Sequence, residues 1–443
     1  MKSDWQISTL GEIADITKLA GYEFTKHIKY DDSGEIIALR ALNVVDGHLD
    51  LSNIKRIAKS ISDDLPRSKL YKSDLLLTYT GSKLGDTALV DADNKYHLAP
   101  NVCRLRVNEE EDSYYLYLYL RSKEFSRHLD NFKVGSGQPT VPMKNIRKIP
   151  IPLPSINARR NIGDIYRAFD DKIELNRKMN QTLEEMAQTL FKSWFVNFDP
   201  VHVKAGCKTN DELEAVAKEF GITKEVLELF PSEFVESEMG MIPLGWEIKI
   251  MNEVISVRDG THDSPKPKDE GYPLVTSKHI KNGELDLKTP KLISKEDFNK
   301  VNKRSIVEQH DILIGMIGTI GDLYLVSDTK VEYAIKNIGL FKVSEKKELS
   351  GFLYYWLDTE RMRNYIRNRL AGTTQKYISL TELRKLPILS VGDAVIEKFN
   401  EILTPILEMK KLNFDNIEFL EETRDTLLPK FLSGELDVSQ VEV

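Results

Sequence analysis

Apolar residues return at every seventh position through Ile162, Phe169, Leu183 and Leu190, with Asn176 on the same line. Ile165, Met179 and Met186 fall between them, and Lys172 interrupts that second line. The pattern recurs 237 residues later as Phe399, Ile406, Asn413, Leu420 and Leu427, with Ile402 and Met409 between. Spacing of this kind predicts two long amphipathic helices that pair along an apolar seam; helices packed onto unrelated surfaces would show it too. Residues 162–190 as one helix would reach roughly 43 Å at ~1.5 Å per residue. Asn176, Asn413, Leu183 and Leu420 are the candidate helix-pairing residues. A seam asparagine costs stability but fixes register, and two that face each other can satisfy one another. Pro405 stands where the first copy has Ala168. It predicts a kink, or a fresh helix start with Thr404 as N-cap.

The helices close a longer internal repeat. Asp74-Leu-Leu-Leu with Gly81-Ser82 returns as Asp311-Ile-Leu-Ile with Gly318-Thr319. Val134-Gly-Ser-Gly-Gln138 returns as Ala371-Gly-Thr-Thr-Gln375, and Asn145-Ile-Arg-Lys-Ile-Pro-Ile151 as Glu382-Leu-Arg-Lys-Leu-Pro-Ile388. The period is too long for a solenoid, so a tandem duplication with pseudo-two-fold symmetry is expected. Ahead of each helix, short β-type runs such as Asn101-Val-Cys-Arg-Leu-Arg-Val alternate with Gly and Asp turns. A helical stretch near Tyr115–Phe132 follows. That mixture predicts an α+β fold of two tandem α/β domains. The Ile149-Pro-Ile-Pro-Leu-Pro run is expected to block regular structure and mark a boundary. The expected order is a first domain over 1–155, a spacer helix over 156–199, a connector over 200–240, a second domain over 241–392 and a second spacer helix over 393–443.

The net charge of −7 argues at first against nucleic acid. Its distribution reverses that. Residues 206–240 hold nine acids and three lysines, nearly the whole imbalance. Residues 121–148 carry seven bases against two acids, and their counterparts 358–385 seven against three. Local clusters of this kind set the field that a phosphate backbone feels. Cys103 and Cys207 lie far apart and outside any metal-ligand spacing, which argues against a disulfide framework and a zinc site and for a reducing cytoplasm. No apolar run approaches the ~18–20 residues that span a bilayer, and Met1–Leu10 has no signal-like apolar core.

Catalytic signatures are missing. There is no Gly-x-x-x-x-Gly-Lys-Ser/Thr phosphate loop, and no Asn/Asp-Pro-Pro-Tyr/Phe motif of an adenine methyltransferase. Glu247-Ile-Lys249 has the tail of a nuclease motif without the upstream aspartate. His262 has no Ser or Cys partner and reads as a hydrogen-bonding loop histidine.

Several phrases carry a resemblance. They are Leu190-Phe-Lys-Ser-Trp-Phe-Val-Asn-Phe-Asp-Pro200, Phe230-Pro-Ser-Glu-Phe-Val-Glu-Ser-Glu-Met-Gly240, Ile242-Pro-Leu-Gly-Trp246 and Lys430-Phe-Leu-Ser-Gly-Glu-Leu436. In this order, on a duplicated chain, they are similar to the specificity subunits of Type I restriction–modification enzymes. The resemblance implies a DNA-reading chain with no catalytic or metal-binding residues of its own. It implies that each domain reads one half of an asymmetric bipartite site in double-stranded DNA. The two long helices would pair antiparallel as a spacer, and two methylation subunits using S-adenosylmethionine would dock around it. Two ATP- and Mg-dependent restriction subunits would complete the complex, with no membrane partner.

The duplicated loops are the candidate DNA contacts: Ser136, Gln138 and Thr140 in the first copy, and Thr373, Thr374 and Gln375 in the second. Gln pairs bidentately with adenine, and hydroxyls contact phosphate or base. Lys144 and Lys376 beside them are candidate phosphate contacts; Arg147 and Arg384 serve DNA or the fold. Secondary candidates are Arg40, Ser82, Lys83, Thr276, Lys278 and Thr319, on segments that match between copies. A different class of function, a coiled-coil scaffold with two protein-binding modules, would also explain the repeat.

Overall fold

The computed structural model describes residues 5–45, 47–109, 112–135 and 137–439. The chain divides into two compact units, one of Met1–Arg177 with Asp415–Val443 and one of Lys178–Phe414. Each unit therefore holds one domain together with part of both long helices.

In the first unit, an antiparallel sheet runs in the order Ala14–Lys18, Val102–Val107, Leu75–Thr78, Thr87–Leu89. A second sheet runs Lys55–Ile57, Ile36–Leu39, Tyr96–Leu98, Lys69–Leu70, with its two central strands parallel. The second unit repeats the plan. Ser256–Asp259, Ile338–Lys342, Ile312–Gly315 and Leu323–Leu325 form one sheet, and Lys291–Ile293, Tyr272–Val275 and Ala334–Ile335 the other. Leu-Leu-Leu and Ile-Leu-Ile, at Leu75–Leu77 and Ile312–Ile314, are buried on both faces, as the unbroken apolar runs require.

The helical stretch expected near Tyr115–Phe132 is two helices, Asp112–Leu120 and Lys123–Phe132. Ser122 breaks it, because its hydroxyl accepts the Phe125 N–H and caps a new start. The proline run is a strand and not a break. Pro150–Leu153 pairs antiparallel with Gln6–Thr9. The carbonyls of Pro150 and Pro152 turn away from that partner and accept the Tyr119 and Tyr115 hydroxyls at 2.5 and 2.6 Å. The prolines thus sit at positions where the missing N–H would have faced off the ladder. Pro387 repeats the device, its carbonyl accepting Trp356 Nε1 at 2.9 Å.

Two 40-residue helices, Ile156–Phe195 and Asp393–Leu432, follow the domains at the same offset of 237. Each is about 60 Å long at ~1.5 Å per residue. They pair antiparallel. In the first unit, Tyr166 donates to the Arg424 carbonyl at 2.9 Å, and Arg177 meets Glu421 at 2.7 Å. In the second, Asn180 Nδ2 donates to the Lys410 carbonyl at 3.2 Å. The second helix runs through Pro405 as one element, so no fresh start occurs at Thr404.

The seam differs from the sequence expectation in one respect. Ile162, Asn176, Phe399 and Asn413 are buried and Phe169, Leu183 and Leu420 half-buried, on the expected line. The companion positions, however, lie four residues on and not three: Tyr166, Ile173, Ala187 and Trp194 are buried, while Met179 and Met186 are exposed. Ile402 and Met409 are likewise exposed where Leu403 and Ile417 are buried. Lys172 is off the seam altogether, which is why it is tolerated.

The acidic connector is folded. Helices Asp199–Gly206, Asn210–Glu219 and Lys224–Glu228 enclose a small core of Leu213, Ala217 and Leu227. Phe230, Ile242 and Trp246 then join Trp194 and Phe195 in the core of the second domain.

Candidate nucleic-acid interface

The two duplicated loops share one backbone frame. Val134 and Thr140 exchange N–H···O bonds of 2.8 and 2.9 Å, and Ala371 and Tyr377 exchange two of 2.9 Å. The next residue of each loop, Val141 or Ile378, donates to the carbonyl of Tyr79 or Met316 and clamps the loop base to the domain. Between these anchors the tip is exposed, at Gln138 in one domain and at Thr373, Thr374, Gln375 and Lys376 in the other. Ser136 lies outside the described residues.

In the first domain, Arg40, Ser82, Lys83 and Gln138 come together around a cleft of about 450 Å³. Tyr30, Thr80 and Asn101, which the sequence had not singled out, line it as well. Gly81, and Gly318 in the second copy, take positive φ of 92° and 81°, the turn that carries the chain into this site. Arg40 Nη2 donates to the carbonyl and Oδ1 of Asn53 at 2.8 and 3.1 Å, while its buried Nε has no partner among the described residues. Burial pushes the Tyr30 hydroxyl pKa up, against the pull of the Arg40 charge. Lys83 is exposed and pairs with Asp86 at 3.4 Å. Thr140 is turned inward, its hydroxyl bonded to that of Thr80, so it secures the loop and not the surface.

The second domain places Thr276, Lys278 and Thr319 on equivalent turns. Arg40 N–H donates to Asn43 Oδ1, and Thr276 N–H donates to His279 Nδ1 at 2.9 Å, one capping geometry built from two residue types. Burial first, then the Lys278 charge, holds the His279 pKa below its ordinary value. That fits a neutral ring accepting this bond. Lys278 is exposed. The Thr319 hydroxyl donates to the Ser277 carbonyl at 2.8 Å and ties two turns together. Asn101 and Asn337 both sit in the left-handed region, at φ 74° and 53°; the recurrent Asn ahead of a strand was the signal available for them.

The basic segments are less available than their count implied. Arg147 donates to the Ile16 carbonyl at 2.5 Å and Arg384 to the Val257 carbonyl at 3.1 Å, so both serve the fold. Arg121 lies over Tyr117, Arg369 over Tyr365, and Arg363 pairs with Asp358 at 2.5 Å. The side chains of Lys144, Lys148, Lys376 and Lys385 are exposed and have no ion pair among the described residues. Glu247 and Lys249 pair with each other at 3.7 Å on an edge strand. Among the described residues no group of three His, Cys, Asp or Glu could hold a metal, and no helix is long and apolar enough to cross a membrane.

Known proteins share this plan. The family model for the Type I restriction modification DNA specificity domain matches residues 2–185 and 243–390. The chain is 25% identical to the Type I restriction enzyme HindI specificity subunit of Haemophilus influenzae, over 98% of this chain and 100% of that one. It is 27% identical to the Type I restriction enzyme MjaIX specificity subunit of Methanocaldococcus jannaschii, over 74% of this chain and 70% of that one. In fold it is similar to the S subunit of a Type I restriction–modification system from M. genitalium, with a TM-score of 0.58 at 14% identity, covering 97% and 96% of the two chains. The duplicated domain, the paired helices and a family match on both copies lead to one assignment: this chain belongs to the DNA specificity subunits of Type I restriction–modification enzymes, the subunits that recognise DNA and do not catalyse.

Proposed function

We propose that the two recognition domains, residues 1–155 and 241–392, each read one half of a bipartite, asymmetric site in double-stranded DNA. The observation that carries this is the duplicated loop: one clamped frame, with Gly137-Gln138 exposed in one copy and Thr373-Thr374-Gln375 in the other. An identical frame sets the same approach to the duplex, and different tip residues select different bases. Gln138, Gln375, Thr373 and Thr374 are the base-reading candidates, with Arg40 and Ser82 beside the first cleft. Ser136 belongs to the same loop. Lys83, Lys144, Lys278 and Lys376 are the phosphate-contact candidates. Thr276, on the matching turn, is a further candidate.

In this reading the paired helices set the unspecified gap between the half-sites, as dimer spacing does for other half-site readers. Two methylation subunits that use S-adenosylmethionine dock around the helices, and two ATP- and Mg-dependent restriction subunits complete the complex. The test is methylome sequencing of a naive host carrying this gene with its neighbouring methylation-subunit gene. A new bipartite adenine-methylation motif with a fixed gap, absent without this chain, is expected. No new motif despite expression of both chains would sink the reading.

A further inference from the structure

The second recognition domain carries an ion cluster that the duplicated loops do not account for. Strand Ser256–Asp259 ends on Asp259, whose side chain is only 4% exposed. One carboxylate oxygen takes Nη2 of Arg304, and the other lies 3.1 Å from His262 Nε2. The side chains of Arg304 and His262 are each 64% exposed. His262 Nδ1 meets Asn337 Oδ1 at 2.9 Å. The Asn337 carbonyl accepts the Ser277 hydroxyl, and the Ser277 carbonyl accepts that of Thr319. The cluster therefore adjoins the turns of Thr276, Lys278 and Thr319.

A carboxylate taken out of water needs its charge met, and among the described residues Arg304 is its one permanently charged partner. A guanidinium has five N–H donors in a fixed fork. Only one is committed here among the described residues, so the anchored group offers the rest outward. Anchoring lowers the ordering cost of gripping an anion, and planar recognition of phosphate suits arginine. Both ring nitrogens of His262 are engaged by Asp259 and Asn337, which makes it a positioning residue. The first domain differs at this position: the matching strand, Ala14–Lys18, ends on Lys18, which lies over the Tyr79 ring.

We propose that Arg304, oriented by Asp259 and His262, grips a backbone phosphate of the half-site read by the second domain. This rests on the half-site reading above. The test uses the full chain co-expressed with its methylation subunits, bound to a duplex carrying its own motif across a salt series. Arg304→Ala should flatten the slope of log K against log salt by about 0.9, the value for one phosphate contact, without changing base preference. Phosphate-ethylation interference should vanish at one phosphate over the second half-site and persist over the first. Where Arg304→Ala lowers the melting temperature, Arg304→Gln, which keeps a donor for Asp259, supplies the same readout. An unchanged slope in a variant that melts like the parent overturns the proposal, as does a loss over the first half-site. Absence of any sequence preference in the parent complex overturns the half-site reading instead.

Discussion

Asn413 donates its Nδ2 to Oδ1 of Asn180 at 2.9 Å across the helix seam. Asn176 is the repeat counterpart of Asn413, and the counterpart of Asn180 is Ile417, which offers no acceptor. Asn176 Nδ2 is accordingly buried without a partner among the described residues. Pseudo-symmetry of the backbone thus meets an asymmetry of side chains. Asn413→Leu should lower stability by about 1–2 kcal/mol, because it strands the Asn180 oxygen. Asn176→Leu should leave stability unchanged or raise it, since it removes an amide already unpaired. Urea midpoints check this: that of Asn413→Leu should fall and that of Asn176→Leu should not.

Gln138→Ala should relax reading of one half-site only, by about 1–3 kcal/mol of discrimination at one base pair. Methylome sequencing of the variant gives the answer directly, as a motif with one degenerate position. Equal degradation of both half-sites would make the loop structural.

Lys342 and Asp311 form a buried pair at 2.7 Å, their side chains 3% and 0% exposed. Lys342→Met should cost about 3–5 kcal/mol, because Asp311 is left charged and unpaired in the core. Replacing both with apolar residues should recover much of that loss, read by thermal melting of the three variants.

Lys342 also reaches Glu308, and its hydrogen bond, ahead of its charge, holds the Glu308 carboxyl below the ordinary glutamate value of 4.5. A depressed folded-state pKa contributes stability above the unfolded value, which is lost as pH falls through the folded one. Glu308→Gln should therefore make the fall in stability below about pH 4.5 shallower, modestly, because the side chain is half exposed. An unchanged acid limb in urea titrations would remove Glu308 from the account.

Burial pushes the Cys103 thiol up to about 12, whereas Cys207 is half-exposed. One thiol per folded chain should react with a disulfide reagent at neutral pH, and the second only after denaturation. Peptide mapping should place the first label on Cys207.

The repeat and the helices were legible because apolar spacing survives divergence. The seam was only half legible, since a sevenfold repeat admits a companion line three or four residues on. Met179 and Met186 made the wrong line look apolar, and Asn180 made the right one look polar. Ser122 hid a helix break inside a helical pattern, and the prolines at 150 and 152 hid a strand, because their carbonyls and not their N–H groups carry the local bonds. The site was less legible still. Counting Arg147, Arg384, Arg121 and Arg369 as surface charge ignored that long cationic side chains reach inward to carbonyls and aromatic faces. Arg40 and Gln138 stand nearly a hundred residues apart in sequence, and only the fold brings them to one cleft.

Phe431, Leu432 and Val438 are packed into the same core as Leu10, Tyr115 and Tyr166, and Asn161 Nδ2 donates to the Val438 carbonyl at 2.7 Å. The domain made first on the ribosome is therefore completed by residues made some three hundred positions later. Its core stays open while the second domain, continuous in sequence from Lys178 to Phe414, already has all of its parts. Order of synthesis and order of completion are reversed, and closing a contact across so long a span is slow. A nascent chain stalled or cut before Asp415 would carry an intact second domain and an unfinished first one, and would present the vacant apolar face of Leu10 and Tyr166 to chaperones.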